Sequence, residues 1–158
     1  MKYAIFDGMC SKNGYLKIQK MIFRKIAFIL LIIWWGAFSF YAGIVIPVGM
    51  NVLGSHIKMG FITQEVSNYL NYFGLPIFLF SSYIFRTEKW FFRFGILLVF
   101  LQIILFVLHI KLDYLLDFQL FSIKFKSIFY PFHRIYLLIS TLIWLLITSS
   151  IVLEIRRN

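Results

Sequence analysis

Polar and apolar residues alternate along this chain on the length scale of a bilayer. Four stretches without Asp, Glu, Lys or Arg, Ile26–Ile46, Val66–Phe85, Phe94–Ile110 and Ile135–Leu153, hold 21, 20, 17 and 19 residues. A hydrocarbon core of about 30 Å takes roughly 17–25 helical residues at about 1.5 Å each. Backbone amides in lipid must bond within their own segment, so each run is expected as a helix. The expected fold is all-α: a four-transmembrane-helix bundle over residues 26–153, with a basic interfacial segment at 1–25 and a tail at 154–158.

Two further segments carry helical stripes. At 100° per residue, Tyr15, Ile18, Ile22 and Ile26 oppose Lys17, Lys20 and Arg24, which predicts an amphipathic helix lying on one leaflet. Phe118, Phe121, Phe125, Phe129 and Phe132 fall within an arc of about 80° if helical. They predict a second interfacial helix, ended by Pro131. An ordinary juxtamembrane connector is the plainer alternative for each.

Charge sets the orientation. Of 16 Lys and Arg residues, 11 flank one side of the four runs, among them Lys2, Lys12, Arg24, Arg86 and Arg156. The five on the other side are Lys58, Lys111, Lys124, Lys126 and Arg134. Positive-inside bias then places both termini in the cytoplasm of a bacterial inner membrane, and His56 and Glu65 in a first outer loop. The net charge of +10 reads as a topology signal and an attraction to anionic lipid, not as a nucleic-acid footprint.

Composition agrees: 61% of residues are hydrophobic and 21% aromatic, and 158 residues leave no room for a second domain. Cys10 alone excludes an internal disulfide and any cysteine-based zinc site. Asp7 interrupts the only early apolar stretch, so the first membrane helix is expected to act as the insertion signal.

Polar residues inside the runs need partners, since unpaired groups in lipid are costly. Gly95, Gln102, Phe106, His109 and Asp113 project within about 60° on the third helix. Asn68, Asn71, Leu75 and Ser82 align on the second, Ser140, Thr141, Trp144 and Thr148 on the fourth, and Gly36 and Gly43 on the first. The direct reading is packing. The two glycines allow close approach, and Asn68, Asn71, Gln102, Ser140 and Thr141 bond across helices at about 0.6–2 kcal/mol each. Gln102 and Asn71 are therefore expected to point inward, and most of the phenylalanines of the third helix outward.

The outer mouth gathers His56, Tyr41, Asn68, Asn71, His109, Asp113, His133 and Tyr136, including every histidine in the chain. His109 and Asp113 are spaced i, i+4 on one helix face, suited to joint metal ligation or a proton relay, with His133 as a third ligand. Neutral imidazole with carboxylate suits zinc, copper, iron or nickel, and paired histidines can clamp a haem. The alternative is an interfacial pair that orders a helix end. There is no HExxH, CxxC, phosphate-binding glycine loop or Ser-His-Asp signature, so no catalytic residue is assigned.

The run Phe40-Tyr41-Ala42-Gly43-Ile44-Val45-Ile46-Pro47, then Gly60-Phe61-Ile62-Thr63-Gln64-Glu65-Val66, then His133-Arg134-Ile135-Tyr136 with Ser140-Thr141, resembles uncharacterised bacterial four-helix membrane proteins. That group is of unknown function and is similar to transmembrane protein 205 and, more distantly, to copper-resistance D membrane proteins. The resemblance implies a four-helix bundle and metal or cofactor handling at the outer face, carried by Tyr41, Pro47, His109 and His133. Ile143 departs from a Gln that precedes the Trp in the group.

Two functions follow as expectations. One is a non-catalytic accessory or partner-binding subunit, meeting other membrane subunits or its own copies. The other is a metal, haem or quinone site built from His109, Asp113 and His133. A proton-coupled transporter is disfavoured, because no charged residue lies at mid-membrane.

Overall fold

The computed structural model describes residues 3–157, with side chains described over 14–156. Lys2 and Asn158 lie outside the described residues, as do the side chains of Asp7, Cys10, Lys12 and Arg157.

The chain is all-helical apart from one small hairpin. α1 (Tyr3–Phe40) passes through a π-helical turn (Tyr41–Val45) into α2 (Ile46–Leu53). α3 (His56–Ile84) and a 3-10 turn (Phe85–Thr87) lead to α4 (Lys89–Leu115). Strands β1 (Leu116–Asp117) and β2 (Ser122–Ile123) then precede α5 (Lys126–Arg157). α1 packs on α3, α3 on α4, α4 on α5, and α5 closes the ring on α1.

Three segments are long and apolar enough to cross a membrane: Gly14–Leu53, Lys89–Leu115 and Lys126–Arg156. α3, with 29 residues, has the length but carries too many polar groups to be among them. Four of those groups are sequestered: Gln64, Asn71, Ser81 and Ser82 are buried, together with Gly74 and Phe78, on the side facing the other helices.

The sequence-predicted boundaries shift where turn chemistry intervenes. The basic segment before Ile26 is not a separate helix, since α1 runs unbroken from Tyr3. His56 and Glu65 are helical, because the first connection is only Gly54–Ser55. Gly54 adopts the left-handed conformation (φ 57°) that ends α2, and Ser55 Oγ accepts the Lys58 N–H at 3.3 Å to start α3.

The phenylalanine stripe also fails as one helix, since Phe129 and Phe132 lie in α5 but Phe118, Phe121 and Phe125 precede it. Asp117 Oδ1 accepts the Gln119 and Leu120 N–H groups at 3.1 and 3.0 Å, and Leu116 pairs with Ile123. A carboxylate that bonds the backbone two residues on makes a turn, and the turn outcompetes helical periodicity. Phe118 and Phe121 instead set their edges against Phe61. Pro131 does not stop α5 but sits within it, near its start.

α4 buries Leu98, Leu101, Leu105, Leu108, Leu112 and Leu115 at alternating three- and four-residue steps. Ile96, Phe100, Ile103 and Val107 on its other face are exposed and equally apolar. Phe92 also faces outward, whereas Phe91 and Phe94 are half-buried.

Close helix approach does not occur at Gly36 or Gly43, which have nothing within 4 Å of where a Cβ would stand. It occurs at Gly95, where that Cβ would lie 2.9 Å from Ser82 Cα, and at Gly74, against the indole of Trp34.

One end of the bundle is tied by charge. Arg24 of α1 bonds Glu154 of α5 at 2.7 and 3.0 Å through Nη2 and also contacts Glu88 at the start of α4. The Arg24 and Glu154 contact puts the start of the α1 span and the end of α5 at the same end.

Candidate ligand cavity at the His109 end

The opposite end is shaped by Pro47. Lacking an N–H, Pro47 cannot close the helical bond four residues back, and the preceding turn widens so that the Ile46 N–H bonds Tyr41 O. Tyr41 is buried there, and its hydroxyl donates to Thr63 O at 3.0 Å.

Gln64 is the hub between α3 and α4. Its Nε2 donates to Asp113 Oδ1 at 2.8 Å and lies 3.3 and 3.5 Å from the two ring nitrogens of His109. His109 Nε2 stands 3.5 Å from Asp113 Oδ2, so the i, i+4 pair meets as the spacing predicts. Deeper in the bundle, Gln102 Nε2 donates to Asn71 Oδ1 at 2.9 Å and to Asn71 O at 3.3 Å. Asn71 Nδ2 in turn donates to the Tyr136 hydroxyl at 3.0 Å. Gln102 and Asn71 both point inward.

Asn71 does not lie near the mouth. It is level with Gln102, the midpoint of the charge-free run Phe94–Ile110, because α3 begins ten residues before Val66. Asn68 is half-buried on the same helix. Ser140 and Thr141 do not bond across helices. Their hydroxyls turn back to Tyr136 O and Leu137 O at 2.9 Å each, the carbonyl a short side chain reaches most easily.

A cavity of about 390 Å³ opens beside this network, between α1–α2, α3 and α5. Phe38, Met59, Phe61 and Phe129 supply much of its apolar wall. Tyr41, His56, Thr63, Gln64, Ser67, Tyr130, His133, Tyr136 and Ser140 are its polar lining residues. The lining contains no Asp, Glu, Lys or Arg.

His133 joins this wall rather than a His109–Asp113 ligand set. Its ring stacks on Phe129 with centroids 5.5 Å apart, and its Nδ1 is buried with no hydrogen-bond partner. Among the described residues, no three His, Cys, Asp or Glu side chains gather closely enough to hold a metal. Gln64 bonds His109 and Asp113 and also lines the cavity, whereas His133 lines the cavity and His109 does not.

Gln64 was legible in principle. It lies one turn before Asn68 on the stripe shared with Asn71 and Ser82, but on the far side of charged Glu65, which closes the apolar run. The indole bonds were signalled at most at one end, by Trp144 and Thr148 on the stripe of the fourth run: Trp34 donates to Leu70 O, Trp35 to Thr148 Oγ1 and Trp144 to Ser39 Oγ, at 3.0, 2.8 and 2.8 Å.

No family model, curated protein or solved structure matches this chain.

Proposed function

We propose that this chain is a four-span protein of the bacterial cytoplasmic membrane, both termini inside, that holds a neutral, apolar-bodied molecule from the membrane without transforming it. The observation that carries the reading is the wall of the cavity. It is largely apolar, has a few neutral hydrogen-bonding groups, and has no charged side chain. A charged head would find no counter-ion there, whereas a carbonyl or hydroxyl head on a hydrocarbon body would find partners at one end and packing along the rest. The inward placement of Gln64, Asn71, Ser81 and Ser82 supports α3 as a fourth span, because its amides and serine hydroxyls then do not meet lipid, although its tyrosines remain on the outward side. The 11-to-5 division of basic residues supports the orientation.

The test is mass spectrometry of lipid-soluble molecules retained after mild detergent extraction. The expected result is a stoichiometric neutral compound, lost in Ala42→Trp or Ser140→Trp, which fill the cavity. Equal retention in the filled variants would remove the cavity from the account. For orientation, a reporter active only in the cytoplasm is expected to work when fused after Asn158 and to fail when fused after Lys58; the reverse pattern inverts the topology.

A second reading, a partner-binding subunit, is favoured by one specific feature, the tyrosines on the outward side of α3.

A further inference from the structure

α3 has two unlike faces. Gln64, Asn71, Gly74, Phe78 and Ser82 turn into the bundle. Tyr69, Tyr72, Phe73, Pro76 and Tyr83 are exposed on the other side, in a stripe about 100° wide at helical spacing, with the Tyr72 ring at its border packed edge-to-face with Phe106 of α4. Tyr83 lies at the Arg86 end, its ring covered by that guanidinium at 4.4 Å. Tyr69 and Tyr72 lie elsewhere. Tyr72 adjoins Asn71, which bonds Gln102 at the midpoint of the charge-free run of α4, and Tyr69 is one turn away.

These two tyrosines are 64% and 57% exposed. Exposed tyrosines belong at membrane interfaces, where the hydroxyl meets water, as Tyr114 and Tyr130 near the ends of α4 and α5 do. At mid-depth a hydroxyl facing hydrocarbon has nothing to bond. Pro76 adds a second deficit on the same stripe, because it has no N–H to give the Tyr72 carbonyl four residues back. One narrow face thus carries two hydroxyl donors that bond no other described residue and one carbonyl deprived of its helical donor, all within about two turns and at the depth where lipid offers no substitute.

We propose that this face of α3 is where a second copy of the chain docks, in a two-fold pair. A face that holds both donors and an acceptor at one depth is complementary to itself, and a two-fold axis along the membrane normal brings each depth against the same depth of its partner. Every hydroxyl bond is then made twice. The inference rests on the reading that α3 crosses the membrane.

The experiment uses the full chain in native membranes, in a Cys10→Ser background. Tyr72→Cys is expected to give a disulfide-linked homodimer on oxidation with copper phenanthroline, whereas Leu138→Cys, 71% exposed on α5, is expected to give none. The same Tyr72→Cys protein is probed with a membrane-impermeant maleimide. No cross-link from a cysteine shielded from the maleimide overturns the pairing and leaves the span intact. Maleimide labelling in intact membranes overturns the span, and the pairing with it. A cross-link to a different polypeptide overturns the second copy as the occupant. As a milder perturbation, Tyr69→Phe with Tyr72→Phe keeps the rings and removes the hydroxyls; it is expected to weaken dimerisation in detergent by about tenfold, and an unchanged dissociation constant overturns the hydrogen-bonded pair.

Discussion

Asn71 and Gln102 are bonded to each other in the middle of the bundle, yet replacing them should have unequal consequences. Gln102→Leu removes one donor that reaches Asn71 Oδ1 at 2.9 Å, a loss of about 0.6–1.7 kcal/mol for a bond between membrane helices. It also removes Oε1, which is buried with no partner and costs about 1–3 kcal/mol while it stays. Asn71 Oδ1 loses its donor at the same time, which adds a cost of similar size to the relief, so the expected net change is within about 1 kcal/mol of zero. Asn71→Leu breaks two bonds, from Gln102 and to Tyr136, and leaves the fully buried Gln102 amide only its longer bond to the backbone carbonyl of residue 71. Its expected cost is about 2–4 kcal/mol. The double variant removes the under-bonded amide, so it should be no less stable than Asn71→Leu alone, with a coupling of about 1–2 kcal/mol. Unfolding by sodium dodecyl sulfate in mixed micelles, followed by the fluorescence of the four tryptophans, measures all three. Equal costs for the two single variants, or simple additivity, would show that the amide pair does not govern this layer of the bundle.

Gly95→Ala should destabilise by about 1–3 kcal/mol in the same assay, because the Ser82 backbone leaves no space for a methyl group. Gly36→Ala, with open space around it, should be neutral or stabilising by up to about 1 kcal/mol; the opposite ranking would place the helix crossing at Gly36. Arg24→Ala removes the guanidinium from two carboxylates, Glu88 and buried Glu154, and should lower stability by about 2 kcal/mol. Arg24→Lys should recover only part of this, since an ammonium cannot reproduce the forked contact to Glu154; full recovery would reduce the contact to simple charge neutralisation.

The sequence by itself determined that the chain is helical, where its apolar stretches lie, and that His109 shares a face with Asp113. These follow from local rules, namely hydrocarbon length, the need to satisfy backbone amides within a segment, and 100° per residue. It also placed Gln102 and Asn71 inward, because a polar group among apolar neighbours has only one favourable direction. Tertiary structure decided which glycines approach a neighbour, since Gly36, Gly43, Gly74 and Gly95 look alike until a second helix stands beside them. It decided that Asp117 folds residues 116–123 into a hairpin where periodicity alone favoured a helix. It joined Gln64 to His109 and Asp113, and it put His133 in the wall of a cavity instead of beside that pair. A histidine's spacing fixes its face on one helix. What it meets depends on the rotation and depth of the helix opposite, and those are set by packing contacts made between residues far apart in the chain.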